Sequence, residues 1–249
     1  MDLVINVVSF ERSRRHSNCV HLVAGVGLPK YRRRMMACCH EKSLWTGLVL
    51  GLLIAGCSGR PAAVSVPRIY PDEAGRLAIS DYDTNNDGVL SRDELAQQAP
   101  GLLKSLSVYD TNGDKAISAD EIAARLRYWQ EEGTGLKVLE CLVTLDGRPL
   151  PGATVVFDPE PFLGNAIKPA TGATDGRGMA TLAVAQEDLK SSERGLHAVY
   201  VGVYKVRITH PDYDIPPQYN TETTLGQETA YDSPGQINLT FPVKRSRKK

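Results

Sequence analysis

Residues 83–94 read Asp-Thr-Asn-Asn-Asp-Gly-Val-Leu-Ser-Arg-Asp-Glu, and residues 110–121 read Asp-Thr-Asn-Gly-Asp-Lys-Ala-Ile-Ser-Ala-Asp-Glu. Each twelve-residue stretch carries a side-chain oxygen at its first, third, fifth, ninth and twelfth positions. A single acidic hexapeptide of this kind is also what a solvated Asx turn looks like, because Asp and Asn favour turns. Two complete copies, each closed by glutamate and flanked by apolar residues at helical spacing, point instead to a paired unit.

The spacing suits one chemistry. Calcium is a hard cation that takes about six to eight oxygens in a flexible shell. In loop one Asp83, Asn85 and Asp87 offer side-chain oxygens, Val89 its backbone carbonyl, Ser91 a contact through water, and Glu94 both carboxylate oxygens. Loop two offers Asp110, Asn112, Asp114, the carbonyl of Ala116, Ser118 and Glu121 in the same order. The pattern resembles the calcium loop of the EF-hand family. Gly88 fills the sixth position, where the chain turns sharply; loop two has Lys115 there and its glycine at Gly113. A strained backbone and an added positive charge at Lys115 predict weaker binding in loop two. Leu90 and Ile117, both at the eighth position, predict a short antiparallel bridge joining the loops.

Residues 71–133 are therefore expected to form a small all-α EF-hand pair. Ala74, Leu77 and Ala78 share one face of a helix over 72–82. A short helix over 94–98 leaves loop one, Pro100 breaks the run, and residues 102–108 lead into loop two. Ile122, Leu126 and Trp129 mark the helix over 120–132. The loops start only 27 residues apart, which predicts a compact pair with little scope for opening. Gly133-Thr134-Gly135 ends the last helix and reads as a hinge.

The 249-residue chain has formal net charge zero, which argues against nucleic acid as a partner. The basic tail 244–249 reads as a solubilising end. Residues 1–34 are Arg-rich without a clear period, and sensible sequence starts at Met35 or Met36. The upstream stretch is read as an over-extended start, with a disordered cytoplasmic leader as the alternative. Residues 35–56 have a basic end, an apolar run over 48–55 and small residues before Cys57, the layout of a secretory signal. That run is too short to span a bilayer, which takes about 20 residues.

Leu53-Ile54-Ala55-Gly56-Cys57 resembles the lipobox of bacterial lipoproteins. The resemblance implies cleavage before Cys57, acylation of Cys57 and attachment to a membrane of the cell envelope, on the outer membrane or the periplasmic face. An ordinary soluble export signal is the alternative. Residues 57–70 then read as a tether. Cys141 would be the one remaining cysteine, a small core residue with no disulfide partner.

From Leu136 the apolar period changes from helical to alternating, with strands expected over 137–145, 153–157, 179–184, 199–210 and 236–243. The runs VTLDGRPLPGATVVFDP (143–159), TDGRGMATL (174–182) and YKVRITHP (204–211) resemble the carboxypeptidase regulatory-like, transthyretin-like β-sandwich of envelope proteins. That resemblance covers residues 136–243 and implies an all-β sandwich after the helical pair, hence an α+β chain in two domains. It says little of function, because its motifs are turns and core positions. The tyrosine-arginine-glycine-serine signature of transthyretin-like hydrolases is absent.

No nucleophile, metalloprotease or phosphate-loop motif occurs, and His197 and His210 are the histidines after Cys57. The expected role is thus not enzymatic: a calcium-binding, lipid-anchored envelope protein whose β-domain is structural or binds an envelope protein or saccharide. An accessory domain of an envelope enzyme system and a dockerin-like docking module are the alternatives. Against the latter, both loops end in Glu and each has an entering helix, whereas dockerin loops end in Asp and lack that helix.

Overall fold

Five helices and a curled sheet combine into a mixed α+β fold in the computed structural model, which describes residues 66–133, 135–233 and 239–245. The expected upstream extension, signal segment, acylated Cys57, most of the tether, Thr134 and residues 246–249 of the tail lie outside the described residues.

Helix α1 (Pro71–Tyr82) starts with proline at its first turn, where a missing N–H costs nothing, and with Asp72 and Glu73 at the positive end of the helix dipole. Helices α2 (Arg92–Gln98) and α5 (Ala119–Glu132) each begin with a capping box, Ser91 with Glu94 and Ser118 with Glu121. Gly133, at φ 68°, closes α5 in the left-handed conformation. Pro100 does more than break a run: it opens α3 (Pro100–Lys104), and Ser105 separates this from α4 (Leu106–Tyr109), so residues 102–108 are shared between two short helices.

Leu77, expected on the buried face of α1, is 42% exposed. The buried face is Ala74, Gly75, Ala78 and Tyr82. Gly75 sets it, because a Cβ there would lie 2.3 Å from the Ala119 carbonyl oxygen at the start of α5.

The two loops carry strands β1 (Val89–Leu90) and β2 (Ile117–Ser118), which pair antiparallel with Leu90 opposite Ile117. After α5 come β3 (Leu136–Lys137), β4 (Leu139–Leu145), β5 (Arg148–Pro149), β6 (Thr154–Pro159), β7 (Ala170–Ala173), β8 (Met179–Val184), β9 (Val199–Tyr200), β10 (Gly202–Thr209), β11 (Gly226–Thr229) and β12 (Leu239–Val243). Among the described residues eight of these make one sheet in the order β11-β10-β6-β7-β8-β4-β12, with β5 on β4, while β3 pairs β9. The sandwich anticipated from the alternating runs is one continuous path that curls over. Phe157 of β6 and Phe241 of β12 are far apart along that path, yet their rings meet edge-on at 6.1 Å.

Alternation survives where one face meets solvent, as in β4, whose Leu139, Cys141, Val143 and Leu145 point inward. The first residues of β10 and all four of β11 are buried on both faces. Helix α3 covers them: a Cβ on Gly101 would meet the Val203 side chain at 2.5 Å, and one on Gly226 the Gly101 nitrogen at 2.1 Å. Short helices of this kind are stable only when their apolar face is covered. The described helices and sheet share one apolar cluster and form one unit, rather than two parts held off by the expected hinge.

Candidate metal centre

The two loops are built alike, bond for bond. The Asp83 carboxylate accepts from the N–H groups of Asn86 (2.7 Å) and Gly88 (2.9 Å), and the Asp110 carboxylate from Gly113 (2.6 Å) and Lys115 (2.9 Å). Asn85 Oδ1 accepts from Asp87 N–H and Asn112 Oδ1 from Asp114 N–H, both at 2.8 Å. Asp87 and Asp114 accept in turn from Val89 and Ala116 N–H. Each loop is a coil of backbone donors around its first aspartate.

This coil needs two left-handed residues, at the fourth and sixth positions. Loop one uses Asn86 (φ 60°) and Gly88 (φ 88°); loop two uses Gly113 (φ 82°) and Lys115 (φ 71°). Each loop thus spends one glycine on two demanding positions, and the copies differ in which position receives it. Asn visits this region more readily than Lys, because its short amide can bond locally.

The closing glutamates tie the ends of each loop together. Glu94 Oε1 accepts from Thr84 N–H and hydroxyl, both at 2.9 Å, and Oε2 from the Ser91 hydroxyl at 2.7 Å. Glu121 repeats this with Thr111 and Ser118. The Ser91 hydroxyl and N–H, followed by Thr84, hold the Glu94 carboxyl down at about 2. Burial opposes the same effect at Glu121, but hydrogen bonds from Ser118 and Thr111 prevail and lower it too. Both glutamates therefore carry charge at neutral pH.

The donor set fits a hard cation. It consists of carboxylate, amide, hydroxyl and carbonyl oxygen, without the nitrogen or sulfur that zinc favours. Asp83, Asn85 and Asp87 lie in one loop, with Val89 opening β1, Ser91 capping α2 and Glu94 in its first turn; Asp110, Asn112 and Asp114 lie in the other, with Ala116 just before β2, Ser118 capping α5 and Glu121 in its first turn. Among the described residues no three His, Cys, Asp or Glu side chains already converge as a metal shell. The physical reason is visible in the bonds above: Asp83 and Asp110 are turned onto backbone N–H groups, and Glu94 and Glu121 onto Thr and Ser.

Two residues that sequence reasoning passed over join the loops to the sheet. Tyr82, immediately before Asp83, donates its hydroxyl to Glu160 Oε2 at 2.6 Å. Glu160, just after β6, is fully buried and has Lys205 Nζ at 3.6 Å; its Oε1 has no hydrogen-bond partner. Burial pushes this carboxyl up to about 7, against the pull of Lys205 and Tyr82. Tyr109, immediately before Asp110, is buried, and that burial, followed by the charge of Glu228 of β11, raises the phenol well above its ordinary range. The Tyr109 hydroxyl and Glu228 Oε2 make no hydrogen bond of standard geometry. Glu228 Oε1 accepts from Arg125 Nε at 2.8 Å, and Arg125 also grips Asp232 through both terminal nitrogens. The signal in the sequence was weak: an aromatic residue before each loop.

The remaining candidates are structural. His210 Nδ1 accepts from the N–H groups of Asp212 and Tyr213, which leaves Nε2 to donate to the Pro151 carbonyl. The Asp212–Asp214 segment is an exposed bend organised by that ring. Cys141 is buried in β4, and burial pushes its thiol up to about 12. No helix of the described residues is long and apolar enough to cross a membrane. Set against family models, curated proteins and solved structures, the chain finds no match in any of the three.

Proposed function

We propose that this chain is a calcium-binding, lipid-anchored protein of the bacterial cell envelope, with an EF-hand pair mounted on a transthyretin-like β-domain. The observation that carries the calcium reading is the bond-for-bond repeat of the two loops, joined through Leu90 and Ile117. An entering helix stands before each loop, which favours an EF-hand pair over a dockerin-like module. Calcium is structural on this reading: it neutralises the acidic side chains of each loop and fixes short helices to one another. Affinities of extracytoplasmic sites of this kind fall at about 10⁻⁴ to 10⁻³ M. The β-domain is structural or holds an envelope protein or saccharide.

Calorimetric calcium titration of the protein beside Asp83→Ala and Asp110→Ala tests the reading. Two sites lost one at a time, with a raised melting temperature in calcium but not in equal magnesium, are expected. No calcium heat and no stabilisation at millimolar calcium would sink it. For the anchor, metabolic labelling with a fatty acid should be abolished by Cys57→Ser; label retained in that variant would refute acylation at this residue.

A further inference from the structure

We infer that Glu160 and Glu228, both in the β-domain, are positioning residues for the two loops: Glu160 holds Tyr82, which precedes the first ligand of loop one, and Glu228 holds Arg125, one helical turn beyond the closing ligand of loop two, and each so sets its loop's affinity for its ion. The inference rests on the calcium reading above.

The two carboxylates start from one row of the sheet. Glu160 N–H donates to the Val203 carbonyl, and Val203 stands opposite Glu228 in the β10–β11 pairing. The two carboxylates therefore flank one residue of β10, beneath the helical pair. Tyr82 and Tyr109 each end a helix, and the next residue, Asp83 or Asp110, is both the helix cap and the first predicted ligand. Fixing the tyrosine ring fixes the direction in which that aspartate leaves its helix. In loop one the tie is the 2.6 Å bond from Tyr82 to Glu160.

In loop two the tie is at the closing end. Glu228 Oε1 accepts from Arg125 Nε at 2.8 Å, and Arg125 lies one helical turn beyond the closing Glu121. A full buried carboxylate is costly to keep unless its partners are held in place. The side chains of two such groups in one patch, one bonded to the residue that launches loop one and the other to the helix that leaves loop two, have no role in the sheet's own ladder of backbone bonds. Preorganisation supplies one: a loop whose ends are already held loses less freedom when the ion binds.

The test is calcium calorimetry on the full chain in two backgrounds, Asp110→Ala to isolate loop one and Asp83→Ala to isolate loop two. In the first background Tyr82→Phe, which removes only the hydroxyl, and Glu160→Leu should each weaken calcium about tenfold. Glu160→Gln, which keeps an acceptor, should recover most of that loss. In the second background the same three variants should leave the affinity unchanged, while Glu228→Leu weakens it and Glu228→Gln recovers part. Such loop-selective loss with rescue is what general loosening of the fold would not produce. Equal weakening of both loops by Tyr82→Phe, or calcium heat indifferent to Tyr82 and Glu160, would overturn the inference while leaving the calcium reading intact. Absence of calcium heat in both parent backgrounds would overturn the reading and the inference together.

Discussion

Gly226 of β11 lies against Gly101 of α3 so closely that a Cβ on Gly226 would stand 2.1 Å from the Gly101 nitrogen and 2.2 Å from the Pro100 carbonyl carbon. Backbone meets backbone here, and no side chain can step aside. Lys104 locks the contact at its edge by donating to Gln227 Oε1 at 2.6 Å. The helical pair is seated on the sheet through this point.

Gly226→Ala should therefore lift α3 from β11 and destabilise the protein by about 3 kcal/mol, at the upper end for overpacking a close contact. Urea unfolding measures it. Gly176→Ala is the control, because a Cβ there meets nothing within 4 Å. A loss below about 1 kcal/mol for Gly226→Ala would mean that the helices yield easily and that the seat is soft.

Lys115 holds a left-handed conformation, φ 71°, at the position where loop one has Gly88. Lys115→Gly should relieve about 1 kcal/mol of backbone strain and, if loop two binds calcium, tighten it relative to loop one. Gly113→Ala should move stability the other way by a similar amount, since its φ of 82° is strained for alanine although space is open. Denaturant midpoints of the metal-free protein read both. A destabilised Lys115→Gly would show that the lysine side chain compensates for its backbone.

Two buried glutamates shape the pH profile of the metal-free protein in opposite directions. Glu94 is held below its ordinary 4.5, at about 2, so its contribution is present above pH 4.5 and disappears as pH falls towards 2. Glu160 is raised to about 7, so the folded state binds the extra proton between pH 4.5 and 7. Stability is thus fullest below pH 4.5 on its account and declines as pH rises through 7, by up to about 3 kcal/mol. Glu160→Gln should flatten the decline between pH 5 and 7, and Ser91→Ala should move the acid loss to higher pH. Urea midpoints across pH 2–8 with chelator present decide it; an unchanged slope in Glu160→Gln would assign the titration elsewhere.

The shape of the loops was legible because each predicted ligand position is a residue type at a fixed offset, and Leu90 and Ile117 announced their pairing by the same arithmetic. Loop two's displaced glycine looked like a defect until the fold placed left-handed residues at both the fourth and sixth positions. The seat on the sheet was not legible. Strand β11, Gly226-Gln227-Glu228-Thr229, has no apolar alternation, since its side chains are buried by Lys104, Arg125 and the Gly202 backbone rather than by a greasy face. Glu160 and Glu228 carry no signal in the sequence, because burial of a carboxylate depends on partners far away along the chain. The curl of the sheet was equally hidden: β12 lies parallel to β4, a pairing between distant segments that local pattern does not encode.

That parallel pairing also fixes how the sheet responds to tension. Strand β4 follows α5 after the short β3, and β12 lies at the edge of the sheet, with Leu239–Val243 in register against Cys141–Leu145. Pulling the start of β4 and the end of β12 apart drags the two strands past each other lengthwise. Their hydrogen bonds are then loaded together in shear rather than opened one at a time, as they would be in a hairpin pulled from its free ends. A pull along the chain meets the protein in its mechanically stiff direction.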